Sequence, residues 1–105
     1  MSGAGEFTQV ALIAEIPEGK TLRVELDDRE VLLCHTAEGL FAVDNLCTHA
    51  DERLCGGRLK GNRIFCPLHG ASFDVRDGSV LSRPASVPLR SYPVRLEGDA
   101  VLLAC

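Results

Sequence analysis

One segment of the chain breaks the pattern of everything around it: Cys47-Thr-His-Ala-Asp-Glu-Arg-Leu-Cys-Gly-Gly-Arg-Leu-Lys-Gly-Asn-Arg-Ile-Phe-Cys-Pro-Leu-His-Gly70. Up to Phe65 it shows little alternation between apolar and polar positions, and it is rich in glycine. A long irregular segment inside a compact domain is usually functional. We therefore look for the chemistry of this protein here first.

Two short pairs of metal-ligand residues frame the segment. Cys47 and His49 form one pair, and Cys66 and His69 form the other, with sixteen residues between the pairs. Two thiolates and two imidazoles suit either a tetrahedral zinc ion or a two-iron cluster. Zinc sites usually pair like with like, whereas each pair here is mixed. The order of the ligands therefore favours a two-iron cluster, with zinc as the alternative.

On both sides of this segment the apolar residues recur with a period of two, which predicts strands. Turn residues such as Asp27–Asp28, Asp77–Gly78 and Gly98–Asp99 separate the runs. No ten residues carry a helical stripe, so we expect an all-β domain, either a small sandwich or a barrel. The predicted strands are Val10–Ala14, Leu22–Leu26, Val31–Cys34, Leu40–Val43, Ala71–Val75, Tyr92–Leu96 and Ala100–Leu103.

The composition of the chain disfavours several classes of protein. The 105 residues carry a formal net charge of −4, which disfavours a general nucleic-acid binder. No apolar run approaches the roughly 20 residues of a membrane-spanning helix, and the N-terminus lacks the pattern of a signal peptide. The five cysteines, an odd number, favour thiols or metal ligands in a reducing compartment over a disulfide framework. We expect a cytoplasmic protein with no membrane or nucleic-acid partner.

The two ligand pairs resemble a known family signature. Cys47-Thr-His49 and Cys66-Pro-Leu-His69-Gly70, at this separation, are similar to the Rieske iron–sulfur motif. The flanks Phe41-Ala-Val-Asp-Asn-Leu-Cys47 and Tyr92-Pro-Val-Arg-Leu-Glu-Gly-Asp99 are similar to those of Rieske-type 2Fe-2S ferredoxins of bacterial aromatic-ring-hydroxylating dioxygenase systems. The resemblance covers nearly the whole chain.

The resemblance implies a structure and a ligand set. Residues 1–105 would form a single Rieske domain of three stacked antiparallel sheets, with a cluster-binding subdomain at about 46–70. A proline-containing loop, Ser82-Arg-Pro-Ala85, would cover one side of the site. One Rieske-type 2Fe-2S cluster would be held by Cys47, His49, Cys66 and His69.

The function that the resemblance implies is electron transfer and not catalysis. The protein would pass single electrons from an NAD(P)H-dependent flavin reductase to the terminal oxygenase of a multicomponent aromatic-ring dioxygenase. Two alternatives are the small Rieske subunit of an assimilatory nitrite reductase, which has a similar fold, and a zinc-binding interaction module. An electron carrier never touches the aromatic compound, so its residues do not identify that substrate.

Departures from other Rieske proteins are informative. Respiratory Rieske proteins carry an extra cysteine in each ligand loop, joined as a disulfide; Glu52 and Leu68 occupy those positions here, so no such bond is expected. High-potential members have Ser and Tyr donors to the cluster sulfurs two and four residues after the second histidine. Ala71 and Phe73 stand there, which predicts a potential near the bottom of the Rieske range.

The other reactive residues have simpler interpretations. We expect Cys34, Cys55 and the terminal Cys105 to be packing residues or spare thiols, and His35 to be a polar surface residue. Around the cluster, Leu68 and Pro84–Ala85 are expected to form an apolar docking ring. We expect the electron donor and the electron acceptor to use this same face in turn. The basic residues expected to steer an acidic partner to it are Arg53, Arg58, Lys60 and Arg63.

Overall fold

The computed structural model describes residues 6–48, 53–67, 70–83 and 85–104. Within these ranges the chain forms strands and two short 3₁₀ helices, Ile13–Glu15 and Leu54–Gly56, and contains no α-helix. The strands are β1 (Thr8–Leu12), β2 (Thr21–Leu26), β3 (Arg29–Thr36), β4 (Gly39–Asp44), β5 (Leu59–Lys60), β6 (Arg63–Phe65), β7 (Ser72–Asp74), β8 (Val80–Ser82), β9 (Ser91–Tyr92), β10 (Val94–Glu97) and β11 (Ala100–Leu103).

These strands form three antiparallel sheets. The first has the order β1-β11-β10, the second β2-β3-β4-β9 and the third β5-β6-β7-β8. The first sheet brings the two ends of the chain together, since Thr8 pairs with Leu103. The all-β architecture of three antiparallel sheets that the family resemblance implied is therefore confirmed.

The β2–β3 hairpin shows why local sequence determines this topology. Its two turn residues, Asp27 and Asp28, have φ of 52° and 65°. A two-residue hairpin turn whose twist matches its strands needs positive φ at both positions, and aspartate tolerates that conformation better than most residues. The turn fixes the register in which Leu22 faces Leu33 and Val24 faces Val31.

Strand β3 lies between two hydrophobic cores. Val31 and Leu33 pack into the core shared with the first sheet, whereas Leu32 and Cys34 pack into the core shared with the third. Successive side chains of a strand point to opposite faces, so a strand that is apolar at every position is buried on both sides. The second sheet is thus the middle layer, and the third sheet with its loops lies against one face of it.

The structure departs from the expected strands in three ways. The expected strand Tyr92–Leu96 is divided at Pro93 into β9, in the second sheet, and β10, in the first. The first strand ends at Leu12, and Ile13–Glu15 forms a 3₁₀ helix instead of continuing the strand. Strands β5, β6 and β8 were not predicted, because two or three residues are too few to show an alternating pattern. Among the described residues no helix has the length and apolar character needed to cross a membrane.

Candidate metal centre

The first predicted ligand, Cys47, lies three residues beyond the end of β4. Cys47 is only 3% exposed, and it packs in the core beneath the third sheet. Strand β4 runs through the middle layer, so the loop that follows it begins at a fixed point of the fold. Cys47 therefore starts the first ligand loop from a rigid strand.

The second predicted cysteine, Cys66, directly follows β6 and is also 3% exposed. Its backbone N–H donates to the carbonyl oxygen of Ala71 at 2.7 Å, which joins the two ends of the connection between β6 and β7. Gly70 has φ of +76° within this connection, a conformation that favours glycine. The second loop is therefore held at its base by the β6–β7 pairing.

Both cysteines of the predicted ligand set belong to the same hydrophobic core. Leu54, Ala71 and Phe73, all fully buried, pack in that core with them. The other two predicted ligands, His49 and His69, lie outside the described residues. Two buried thiols in one apolar environment, each beginning a short loop, fit a metal cluster that needs thiolate ligands shielded from water.

Two side-chain hydrogen bonds join the ligand loops to the rest of the fold. The Thr48 hydroxyl donates to the Val87 carbonyl oxygen at 2.6 Å, and the Ser82 hydroxyl donates to the Gly70 carbonyl oxygen at 2.9 Å. Segment 82–89, which includes the loop predicted to cover the site, therefore contacts both ligand loops. Nothing in the sequence singles out Thr48 or Ser82, because their partners are remote along the chain.

The predicted docking ring needs a correction. Ala85 is 4% exposed and packs in the core with the two cysteines, so it offers no surface to a partner. Leu68 and Pro84 lie outside the described residues. The exposed apolar side chains beside the first loop are instead those of Leu46, 47% exposed, and Val87, 56% exposed.

The four basic residues expected to steer a partner lie in three different environments. Arg53 is bound by the Glu30 carboxylate, with its Nε 2.9 Å from Oε1, so it anchors the loop rather than offering a charge to a partner. Arg58 and Lys60, together with Lys20, line a groove of about 420 Å³. The fourth residue of the predicted set, Arg63, stacks over the Phe65 ring.

Cys34, Cys55 and His35 lie in different environments. Cys34 is fully buried, and burial raises the pKa of its thiol to about 12, which keeps it protonated and unreactive. Cys55 is exposed. His35 is not a simple surface residue, because its Nδ1 lies 2.6 Å from the Ile16 carbonyl oxygen and links β3 to the end of the 3₁₀ helix Ile13–Glu15. Cys105 lies outside the described residues.

Comparison with known proteins agrees with this geometry. Residues 6–93 match the model of the Rieske [2Fe-2S] domain. Over 98 residues, 93% of this chain and 94% of the relative, the sequence is 42% identical to the ferredoxin component of the naphthalene 1,2-dioxygenase system of Pseudomonas aeruginosa.

Solved structures give the same result. The ferredoxin of carbazole 1,9a-dioxygenase from Nocardioides aromaticivorans IC177 is similar with a TM-score of 0.89 and 32% identity, over 93% of this chain and 96% of that one. A complex of reduced oxygenase and oxidized ferredoxin in carbazole 1,9a-dioxygenase includes a chain similar with a TM-score of 0.89 and 27% identity, over 98% of this chain and 94% of that one. A nitrite reductase small subunit from Mycobacterium tuberculosis, at 23% identity, shares the fold.

Proposed function

This chain belongs to the Rieske [2Fe-2S] domain family, and on that premise we propose that it is the ferredoxin of an aromatic-ring dioxygenase system. It carries single electrons from a flavin-dependent reductase to a terminal oxygenase and catalyses no reaction on the aromatic substrate itself. The observation that carries this proposal is the similarity to ferredoxin components along nearly their whole length.

The ligand set that we propose is Cys47 and Cys66 as thiolates with His49 and His69 as imidazoles. A bound cluster of this kind accepts and releases one electron. Leu54 and Phe73 are fully buried beside the two cysteines and exclude water from that side. Hydrogen bonds of Thr48 and Ser82 join residues of both loops to the rest of the fold. Mixed ligation gives such a centre a potential of about −150 to +300 mV, against about −400 mV for clusters held by four cysteines in plant-type ferredoxins.

We propose that both partners dock beside the first ligand loop in turn, because one site must both receive and release the electron. Leu46 and Val87 provide an exposed apolar edge there, and the hydroxyl of Thr48 donates to the Val87 carbonyl oxygen. Arg58 and Lys60 lie at β5 of the third sheet, where they line one groove, and their positive charges suit an acidic partner surface. Two partners that share one surface form only binary complexes with this protein.

Residues 1–105 are proposed to act as one domain, with the ligand loops within about 46–70; the sheet that supports them continues to Ser82. We place the protein in the cytoplasm. The thiols of Cys34 and Cys55, which are outside the ligand set, are free, as is usual in a reducing compartment.

A low-temperature EPR spectrum of the dithionite-reduced protein, with iron and zinc analysis, tests the centre. A Rieske-type signal with two irons per chain is expected; zinc without a signal would favour an interaction module. Electron transfer from a dioxygenase-system reductase to its oxygenase then tests the function. A chain with the signal that transfers electrons only within a nitrite reductase would overturn the dioxygenase assignment.

A further inference from the structure

The first ligand loop is closed by a buried amide that belongs to neither ligand pair. Asn45 is fully buried, two residues before Cys47. Its Oδ1 accepts the backbone N–H of Cys55 at 2.9 Å, and its carbonyl oxygen accepts the N–H of Leu54 at 2.6 Å. Asn45 therefore joins the beginning of loop 46–53 to the residues that immediately follow it.

The other end of the Asn45 amide is held by Glu30 on β3. The Asn45 Nδ2 donates to Glu30 Oε1 at 3.2 Å, and the same carboxylate binds the Arg53 guanidinium through two hydrogen bonds, at 2.9 and 3.1 Å. Arg53 pairs in turn with Leu46 across the base of the loop. Both ends of loop 46–53 are thus connected to one carboxylate.

This arrangement admits only one orientation of the Asn45 amide. If the oxygen and nitrogen were exchanged, the amide oxygen would face the Glu30 carboxylate and the NH₂ group would face the Cys55 N–H. Both contacts would then be repulsive, and buried polar groups left without partners are costly. Glu30 therefore orients the amide, and the amide fixes the distance between the two ends of the loop.

We propose that Asn45 is a positioning residue for the cluster, which closes loop 46–53 and thereby fixes the Cys47 thiolate, with Glu30 setting the orientation of its amide. Hydrogen-bonding residues that orient metal ligands in this way usually change metal retention by 10–100-fold when they are replaced. The inference uses the proposed ligand set only through Cys47.

The fold contains a matched control. Glu38 also joins an asparagine and an arginine: Asn62 Nδ2 donates to it at 2.9 Å and Arg76 Nη1 at 3.3 Å. Asn62 lies in the turn between β5 and β6. Among the described residues, the contacts of Asn62, Glu38 and Arg76 lead to Asp74 on β7 and not to a ligand loop. Replacing Asn62 therefore disturbs a similar side-chain network away from Cys47.

The test compares cluster-loaded Asn45→Ala and Asn62→Ala proteins. For Asn45→Ala we expect loss of the visible cluster absorbance to a chelator to be about tenfold faster, with broadened EPR lines and a displaced midpoint potential. For Asn62→Ala we expect a rate within about twofold of the unmodified protein, with the same EPR spectrum and potential. A merely structural role for Asn45 would lower the unfolding midpoint and leave the spectrum and potential unchanged.

A double variant, in which the acid and the amide change places between positions 30 and 45, tests whether cluster retention can be restored. Asn45→Asp retains the acceptor for Cys55 but sets two carboxylates against each other, so cluster loss is expected to be faster still. Adding Glu30→Gln restores a donor–acceptor pair in the opposite sense and preserves the formal net charge. We therefore expect the double variant to recover most of the retention and the original EPR spectrum.

Two results would overturn the proposal: an Asn45→Ala protein with the spectrum, potential and cluster lifetime of the original, or equal effects from Asn62→Ala. If Asn45→Ala does not fold, Glu30→Gln against Glu38→Gln makes the same comparison, and equal cluster lifetimes and spectra would overturn it. None of these measurements uses a redox partner, so they are independent of the dioxygenase assignment. A Cys47→Ser protein that kept its Rieske signal would instead remove the ligand premise.

Discussion

Gly57 lies so close to Phe65 that a Cβ atom at position 57 would fall 1.8 Å from the Phe65 carbonyl oxygen. Phe65 is the last residue of β6 and immediately precedes Cys66. The chain entering the third sheet therefore packs backbone against backbone beside the second ligand loop. Only a glycine leaves room for that contact.

Replacing Gly57 should separate these two segments. We expect Gly57→Ala to lower the free energy of unfolding by about 3 kcal/mol, since the clash is with backbone that cannot rotate away. The neighbouring Gly56→Ala is the control, because its nearest contact would be the Pro67 Cγ at 3.9 Å. Thermal unfolding of the two cluster-loaded proteins measures the difference. Equal melting temperatures would contradict the packing described here.

The four proposed ligands should be individually required for the cluster. We expect Cys47→Ser, Cys66→Ser, His49→Ala and His69→Ala each to abolish the Rieske EPR signal of the reduced protein, because loop order and metal binding are linked. Cys55→Ser is the control, since this exposed thiol lies in the same region of the chain. Loss of the signal in Cys55→Ser with retention in His49→Ala would show that the ligand set is wrong.

The midpoint potential should lie near the bottom of the Rieske range. Ala71 and Phe73 are fully buried in the core that contains both cysteines, and neither side chain can donate a hydrogen bond. One donor to a charged acceptor contributes roughly 1.5–3 kcal/mol. For one electron this is roughly 60–130 mV, at about 23 kcal/mol per volt.

Voltammetry of Ala71→Ser checks this expectation. The added hydroxyl should raise the potential by up to that amount, because it stabilises the extra negative charge of the reduced state. Ala71→Val, which adds volume without a donor, is the control. A midpoint of the unmodified protein well above zero, or a fall in Ala71→Ser, would contradict the argument.

Glu30 should make stability depend on pH in the acid range. Hydrogen bonds from Arg53, Arg23 and Asn45 lower the pKa of Glu30 from about 4.5 to about 2. A carboxyl whose pKa is depressed by folding stabilises the folded state above its unfolded pKa, and that contribution is lost as the pH falls through the folded pKa.

Chemical unfolding between pH 6 and pH 2 measures this contribution. We expect the stability of the unmodified protein to fall more between about pH 4.5 and pH 2 than that of Glu30→Gln, with the two curves converging at the acid end. Glu97→Gln is the control, because Glu97 pairs with Arg95 on β10, away from Glu30 and its partners. Parallel curves for Glu30→Gln and the unmodified protein would rule out this role.

The apolar edge beside the first loop should be needed by both partners. We expect Leu46→Glu and Val87→Glu to weaken reduction by the reductase and delivery to the oxygenase by about tenfold each, since a charge must be buried at the contact. Leu96→Glu is a matched control, because Leu96 is 49% exposed but lies on β10 in the first sheet.

A competition measurement completes this test. A redox-inactive oxygenase should inhibit reduction of the protein by its reductase, in proportion to its occupancy of the shared surface. A stable ternary complex with undiminished electron transfer would contradict a common docking surface, and so would equal effects from Leu96→Glu.

The sequence alone predicted the longer strands and the two ligand pairs for the same reason. A strand shows itself in the alternation of neighbours, as in Leu22–Leu26, and a ligand pair such as Cys47 and His49 lies within three residues. Both signals are local. The order of the ligands then favoured a two-iron cluster over zinc, and the resemblance implied the three sheets.

The hydrogen bonds that stabilise the two ligand loops are visible only in the tertiary structure. Thr48 reaches Val87 across 39 positions, and Asn45 reaches Glu30 across 15. Such contacts arise where sheets and loops pack, so no periodicity along the chain records them. For the same reason Ala85, expected on the surface, proved to be buried beside the cysteines, because whether a loop residue faces solvent depends on which distant segment covers it.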